Sequence, residues 1–173
     1  HSFMPAKPTA HTEKAPVKVV FADNQHFFIE GFVQYLKQFP HLHVGGYRRN
    51  GEELLELVER EKPDIVFTDI SMPKKNGIEA AKEIKAKYAH IKLIALTSLH
   101  DDEHITGMLA AGACGYLLKE DEPHIIADAI EKALRGELCY SPAIANRILK
   151  LVQQSKLQQA EAVETKPLTA KET

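Results

Sequence analysis

Residues 63–79 read PDIVFTDISMPKKNGIE. Within them DIVFTD, 64–69, is a short apolar run with the look of a strand, set off from what precedes it by Pro63. The run ends on a carboxylate, Asp69, and turns at once through Pro73 and Gly77 into an amphipathic stretch, 77–88, that reads as a helix. A buried strand seldom finishes on an acid unless the acid is held there for use, so Asp69 is the first candidate for chemistry.

The same alternation runs outward in both directions. Upstream, VKVVFAD (17–23) reads as a strand and 26–38 as a helix, with Phe28, Phe32, Tyr35 and Leu36 at helical spacing. HLHVGGY (41–47) is a second strand weakened by its glycines, and GEELLELVEREK (51–62) is a helix that stops before Pro63. Downstream come the strand IKLIALT (91–97), a helix over 101–111 closed by Gly112, the strand GYLLK (115–119), and a helix over 122–135 closed by Gly136. Five strands alternating with five helices predict an α/β fold: a doubly wound, five-stranded parallel sheet, (βα)5, with helices on both faces. The near-continuous apolar character of the strands agrees with burial on both sides. Phe27, Phe28, Phe32 and Tyr35 are then expected on the buried face of the first helix.

Ligands of such open sheets sit at the carboxyl ends of the strands, where strand order reverses. Those ends carry Asp23 and Asn24, then Asp69, then Thr97 and Ser98, then Lys119. Two or three oxygen donors suit a small hard cation such as Mg²⁺, which keeps several waters and needs only one or two carboxylates. A hydroxyl and an ammonium beside it would bind the oxygens of a phosphoryl group. A carboxylate is also a competent nucleophile toward phosphorus, giving an acyl phosphate, and Asp69 is placed for that role. Taken singly, Asp69 also reads as a turn-forming aspartate and Lys119 as a solvated lysine. The convergence of four strand ends favours the site.

Bulk properties narrow the remaining classes. The chain has 173 residues, 44% of them hydrophobic and 27% charged, the range of one compact domain with tails. No apolar run approaches the roughly 18 residues a membrane helix needs, and no cleavable signal opens the chain, so a soluble cytoplasmic protein is expected. Net charge is −2, with pI ≈ 6.5, which offers nucleic acid no overall attraction. Cys114 and Cys139 lie outside any CxxC spacing and are expected as buried or half-buried thiols. Residues 1–16 lack periodicity and stand apart from the fold as a tag-like or disordered segment. Residues 141–158 open with Ser141 and Pro142 and place Ile144, Ile148, Leu151 and Val152 on one face of a further helix. Near the end, Thr169 and Glu172 form a capping-box signature.

FADN (21–24), PDIVFTDISMPKKNGIE (63–79), IALTS (94–98) and GACGYLLKE (112–120) occur in the order found in the receiver domain of bacterial two-component response regulators, which residues 17–136 resemble. The resemblance implies a flavodoxin-like fold and a signalling domain rather than a metabolic enzyme, with catalysis limited to self-phosphorylation and slow autodephosphorylation. It implies that Asp69 is phosphorylated by a partner histidine kinase. It also implies that Mg²⁺ (or Mn²⁺) is held by Asp23, Asp69 and the backbone carbonyl of Ser71, that Lys119 contacts the phosphoryl group, and that Thr97 and Tyr116 form the switch. Output would pass through the fourth helix, fifth strand and fifth helix, with homodimerisation on phosphorylation. LTAKET (168–173) resembles the opening of the helix-turn-helix domain in NarL/LuxR (FixJ) regulators. It implies a linker with a helix over 137–166 and a DNA-binding domain starting at 167–173, through which alone DNA would be bound; no membrane partner is implied.

One position departs from the family pattern: Asn24 stands where a second acid is usual, so metal binding is expected to be weakened, and a receiver acting partly without phosphorylation is the alternative reading. A flavodoxin-like redox protein shares the architecture, yet ADNQHFF (22–28) replaces a phosphate-cradling loop after the first strand. A phosphatase with an aspartate nucleophile shares the chemistry, but Ser71 stands where its second acid would be.

Overall fold

A computed structural model describes residues 16–165. The chain runs β1 (Val17–Ala22), α1 (His26–Leu36), β2 (Leu42–Arg48), α2 (Gly51–Glu61), β3 (Ile65–Thr68), α3 (Gly77–Lys87), β4 (Lys92–Thr97), α4 (Asp102–Ala110), β5 (Gly115–Leu118), α5 (Pro123–Leu134), β6 (Cys139–Tyr140) and α6 (Pro142–Thr165). All strand pairs are parallel, in the order β2-β1-β3-β4-β5-β6. Strand order therefore reverses between β1 and β3, and the crevice expected from such a reversal opens where Asp23 and Asp69 leave their strands.

Alternation along the strands sorts the core into two layers. Val20, Ala22, Val66 and Ala95 face α2, α3 and α4 through Leu54, Ala80, Ile84 and Ile105. Val19, Phe21, Phe67 and Leu117 face α1 and α5 through Ile29, Phe32, Ile126 and Ile130. Phe32 anchors α1 by edge-on contacts with Phe21, at 5.0 Å between ring centroids, and with Phe67, at 5.2 Å. Phe27 departs from the expected face: at 88% exposure it points into solvent, because one residue's rotation around a helix carries it off the stripe that Ile29, Phe32 and Leu36 bury.

Local chemistry accounts for the boundaries. Asn50 caps α2 by accepting from Glu53 N–H at 2.9 Å. That helix ends at Lys62 in the left-handed region, φ 50°, immediately before Pro63. Asn76 and Glu79 form a reciprocal capping box on α3, both bonds at 2.9 Å. The glycines that weaken β2 as a sequence signal serve a register shift: Val19 pairs with Val44 and Val20 with Gly46, leaving Gly45 as the extra residue.

Two elements exceed what periodicity announces. β6 is a two-residue strand on the edge beside β5, too short to leave a pattern. The helix expected over 141–158 continues to Thr165 as α6. Its first turns pack on the domain: Ile144 is buried, and Arg147 makes a two-pronged ion pair with Asp102 of α4, at 2.6 and 2.5 Å. The tag-like segment, apart from Pro16, lies outside the described residues, as do the Thr169–Glu172 capping box and LTAKET.

Candidate functional site

The register of β1 against β3, Ala22 opposite Thr68, delivers Asp23 and Asp69 side by side at the next residue of each strand. Backbone bonds continue past the strands and hold both acids: Asp23 N–H donates to Arg48 O at 3.0 Å and Asp69 N–H to Ala22 O at 2.9 Å. Lys119 arrives from β5, its N–H donating to Thr97 O at 3.0 Å. Its ammonium lies 2.7 Å from Asp23 Oδ2 and 2.9 Å from Asp69 Oδ2, with the three side chains only 8%, 2% and 7% exposed. Two carboxylates thus share one buried cation, which leaves the cluster one positive charge short.

The remaining bonds orient the acids. Asp23 Oδ1 accepts Gln25 N–H at 2.8 Å, and Asp69 Oδ1 accepts Ile70 N–H at 2.7 Å. Gln25 Oε1 accepts from Lys119 Nζ at 2.5 Å, and the Phe28 ring lies beneath the same ammonium at 4.7 Å. Burial pushes the Asp23 carboxyl above the usual range; Lys119 and Gln25 N–H pull it down, and the Asp69 charge pushes it up. Gln25 and Phe28 are site members that sequence reasoning missed. Gln25 carries no motif, and Phe28 looked like one more core aromatic.

The loop after Asp69 is fixed by contact. Gly77 N–H donates to Ile70 O at 2.8 Å, and a Cβ on Gly77 would sit 2.1 Å from Asp69 O. Gly77 therefore brings the loop back against the end of β3.

Not every expected group meets the acids directly. Asn24 is exposed, and its backbone carbonyl accepts from Arg49 Nη2 at 2.9 Å. Ser71 is exposed at the rim. Thr97 is fully buried at the end of β4, and its hydroxyl oxygen accepts Leu99 N–H at 3.3 Å. Tyr116 is fully buried one strand over, and its hydroxyl donates to Leu99 O. Burial also raises the Tyr116 hydroxyl far above its ordinary value, with the Asp101 and Asp69 charges adding to the effect, so it stays a donor. Both hydroxyls thus grip the backbone of the same residue, Leu99, in the loop between β4 and α4.

Among the described residues no group of three or more His, Cys, Asp or Glu side chains is placed to hold a metal. The oxygen set is instead two carboxylates with neutral amide and carbonyl donors nearby. That chemistry, together with the unbalanced negative charge, fits a hard divalent cation of the Mg²⁺ kind. No helix among the described residues is long and apolar enough to cross a membrane.

Comparison with known proteins gives the family. The family model for the response regulator receiver domain matches residues 19–131. The uncharacterized transcriptional regulatory protein YxjL of Bacillus subtilis is 34% identical over 92% of this chain and 73% of its own length. Transcriptional regulatory protein DegU of Brevibacillus brevis is 35% identical over 78% of this chain and 57% of its own. The chain thus spans little more than half the length of DegU and about three quarters of YxjL. Among solved structures, a LuxR-family two-component response regulator from Aurantimonas superimposes with a TM-score of 0.74 at 27% identity, covering 78% of this chain and 96% of that one. A LuxR-family DNA-binding response regulator from Staphylococcus aureus gives 0.64 at 26% identity, covering 67% and 97%. With its parallel sheet, its paired acids and a family match over most of the described residues, the chain belongs to the response regulator receiver domain family.

Proposed function

We propose that Asp69 accepts a phosphoryl group from a histidine kinase and that the phosphorylated domain, working in the cytoplasm, controls DNA binding by a C-terminal domain beginning at 167–173. The observation that carries the reading is the buried ammonium of Lys119 shared by Asp23 and Asp69 at the strand-order reversal. Mg²⁺ (or Mn²⁺) would be held by Asp23, Asp69, the amide of Asn24 and the backbone carbonyl of Ser71. When bound it would supply positive charge to the oxygens of the transferring group.

The protein's own residues do the rest. The Ile70 N–H on Asp69 Oδ1 orients the nucleophile, leaving Oδ2 toward the pocket. Oδ2 attacks phosphorus, the bond to the donor atom breaks, and the donor leaves with its electron pair. Lys119 then has a phosphoryl oxygen as partner in place of the carboxylate. If Thr97 turns its hydroxyl to the new anion, Leu99 N–H loses its acceptor, and Tyr116 alone holds that loop. The loop leads into α4, whose Asp102 grips Arg147 of α6, so the change reaches the C-terminal helix by contact. Homodimerisation on phosphorylation is the output that a symmetric DNA site would read.

With Mg²⁺ and acetyl phosphate, intact mass should rise by one phosphoryl group, and Asp69→Asn should remain unmodified. Labelling that survives the substitution would move the acceptor elsewhere.

A second reading, a receiver that works partly without phosphorylation, is favoured by Asn24. It removes one charge from the cation site, while Arg49 bonds to its carbonyl. Restoring the acid with Asn24→Asp should lower the Mg²⁺ concentration at half-maximal phosphorylation by about 10-fold, the effect of roughly 1.4 kcal/mol. An unchanged Mg²⁺ requirement would mean that the amide costs the site nothing.

A further inference from the structure

Cys114 and Cys139 stand 25 residues apart in the chain, yet β6 brings them together. Cys139 pairs with Gly115 in the parallel ladder, and its N–H donates to Cys114 O at 3.0 Å. Its thiol reaches the same carbonyl at 3.8 Å. Gly115 makes the approach possible, since a Cβ there would lie 2.4 Å from Cys139 Sγ. Both side chains join the layer beneath α5, Cys139 fully buried and Cys114 half-buried. We propose that Cys114 and Cys139 form a redox-active dithiol, a modification site separate from the phosphoacceptor, which a low-molecular-weight disulfide converts to an intramolecular disulfide.

The two thiols are chemically unequal in the direction this exchange requires. The neighbouring Cys139 thiol and the charges of Lys92 and Lys85 lower the Cys114 thiol against the pull of its partial burial, while the Cys114 thiol and burial push Cys139 up. Cys114, the more exposed, is therefore the attacking sulfur, and Cys139 resolves. Cys114 Sγ, as thiolate, attacks one sulfur of R–S–S–R. A Cys114–S–R bond forms, the S–S bond breaks, and R–S⁻ leaves to take up the proton Cys114 gave to solvent. Cys139 Sγ, losing its proton, then attacks Cys114 Sγ and expels the second R–S⁻, which takes that proton. One external disulfide is reduced to two thiols, and two protein thiols are oxidised to one disulfide. The small molecule needs to reach only Cys114, so the burial of Cys139 is no obstacle.

The bond would pin β6 to the start of β5. Ser141 follows directly, its N–H on Tyr116 O at 3.0 Å and its Oγ accepting Leu118 N–H at 2.9 Å, and α6 begins at the next residue. Oxidation therefore ties the base of α6 to the strand that carries Tyr116.

The test treats the chain with oxidised glutathione at neutral pH and maps non-reduced peptides by mass spectrometry. A Cys114–Cys139 linked peptide in the monomer is expected. Closing the intervening loop should also raise Tm by about 5–10 °C, reversed by dithiothreitol. Cys139→Ser should stop at a glutathione adduct on Cys114, and folded Cys114→Ser should remain unmodified. Thiols that both stay reduced, a wild-type chain that keeps glutathione on Cys114, or a bond only between copies would overturn the dithiol. Equal uptake by the two variants would overturn the order of attack.

Discussion

Lys119→Met should cost about 2–4 kcal/mol of stability at neutral pH, a fall in Tm of about 5–10 °C, because it leaves two buried carboxylates with no cation between them. The methylene stem is conserved by methionine, so the loss belongs to the charge and not to a cavity. The pH dependence distinguishes this from ordinary core damage. Asp23 is already held above its ordinary value of 3.8, first by burial, and Lys119 is the main group pulling it back. A carboxyl with a raised folded-state value binds more protons folded than unfolded across the window between the two values. Its contribution to stability is complete below the unfolded value and is lost as pH rises through the folded one. Removing Lys119 widens that window upward. The deficit of the variant should therefore be small near pH 4 and grow toward pH 7, and Mg²⁺ should recover part of it at pH 7. Thermal melts of both proteins across this range, with and without Mg²⁺, make the measurement. A deficit independent of pH would show that Lys119 acts through packing alone.

How far the sequence reaches depends on the range of the interaction that makes each feature. β1, β3, β4 and β5 were legible because each is a near-continuous apolar run, and the polar groups at their ends, two acids, a hydroxyl and an ammonium, follow from where those runs stop. The parallel order then aligns Asp23 with Asp69 with no further information. Gln25 belongs to the site for a different reason: its amide happens to reach the ammonium of a residue 94 positions away, and no local pattern encodes that. Asn24 illustrates the reverse limit. Its departure from an acid pair is plain in the sequence, but Arg49 on its carbonyl appears only once β2 is laid beside β1. The cysteines are the clearest case. Their spacing fits no motif, and their meeting depends on β6, which pairs only because β5 offers it an edge.

The contact between Gly77 and Asp69 turns the loop geometry into a test that pairs two glycines. Gly77→Ala should lower stability by about 3 kcal/mol or more, because the added Cβ would lie 2.1 Å from Asp69 O and 2.9 Å from Ile70 Cα, and both neighbours are backbone. No rotamer change can relieve that clash. The end of β3 or the start of α3 must move, and either shift carries the Asp69 carboxylate with it. Phosphorylation by acetyl phosphate should then slow by about 10–100-fold in the molecules that remain folded, the cost of displacing a nucleophile by a fraction of an ångström to an ångström. Gly31, on the exposed side of α1, is the control: a Cβ there meets nothing within 4 Å. Gly31→Ala should raise stability by about 0.5–1 kcal/mol through helix propensity and leave phosphorylation unchanged. Urea titrations give the two stabilities and time-resolved mass spectrometry the two rates. Should Gly77→Ala match Gly31→Ala in both, the loop is free to yield, and the close approach of residue 77 to the acceptor's backbone has no part in placing its carboxylate.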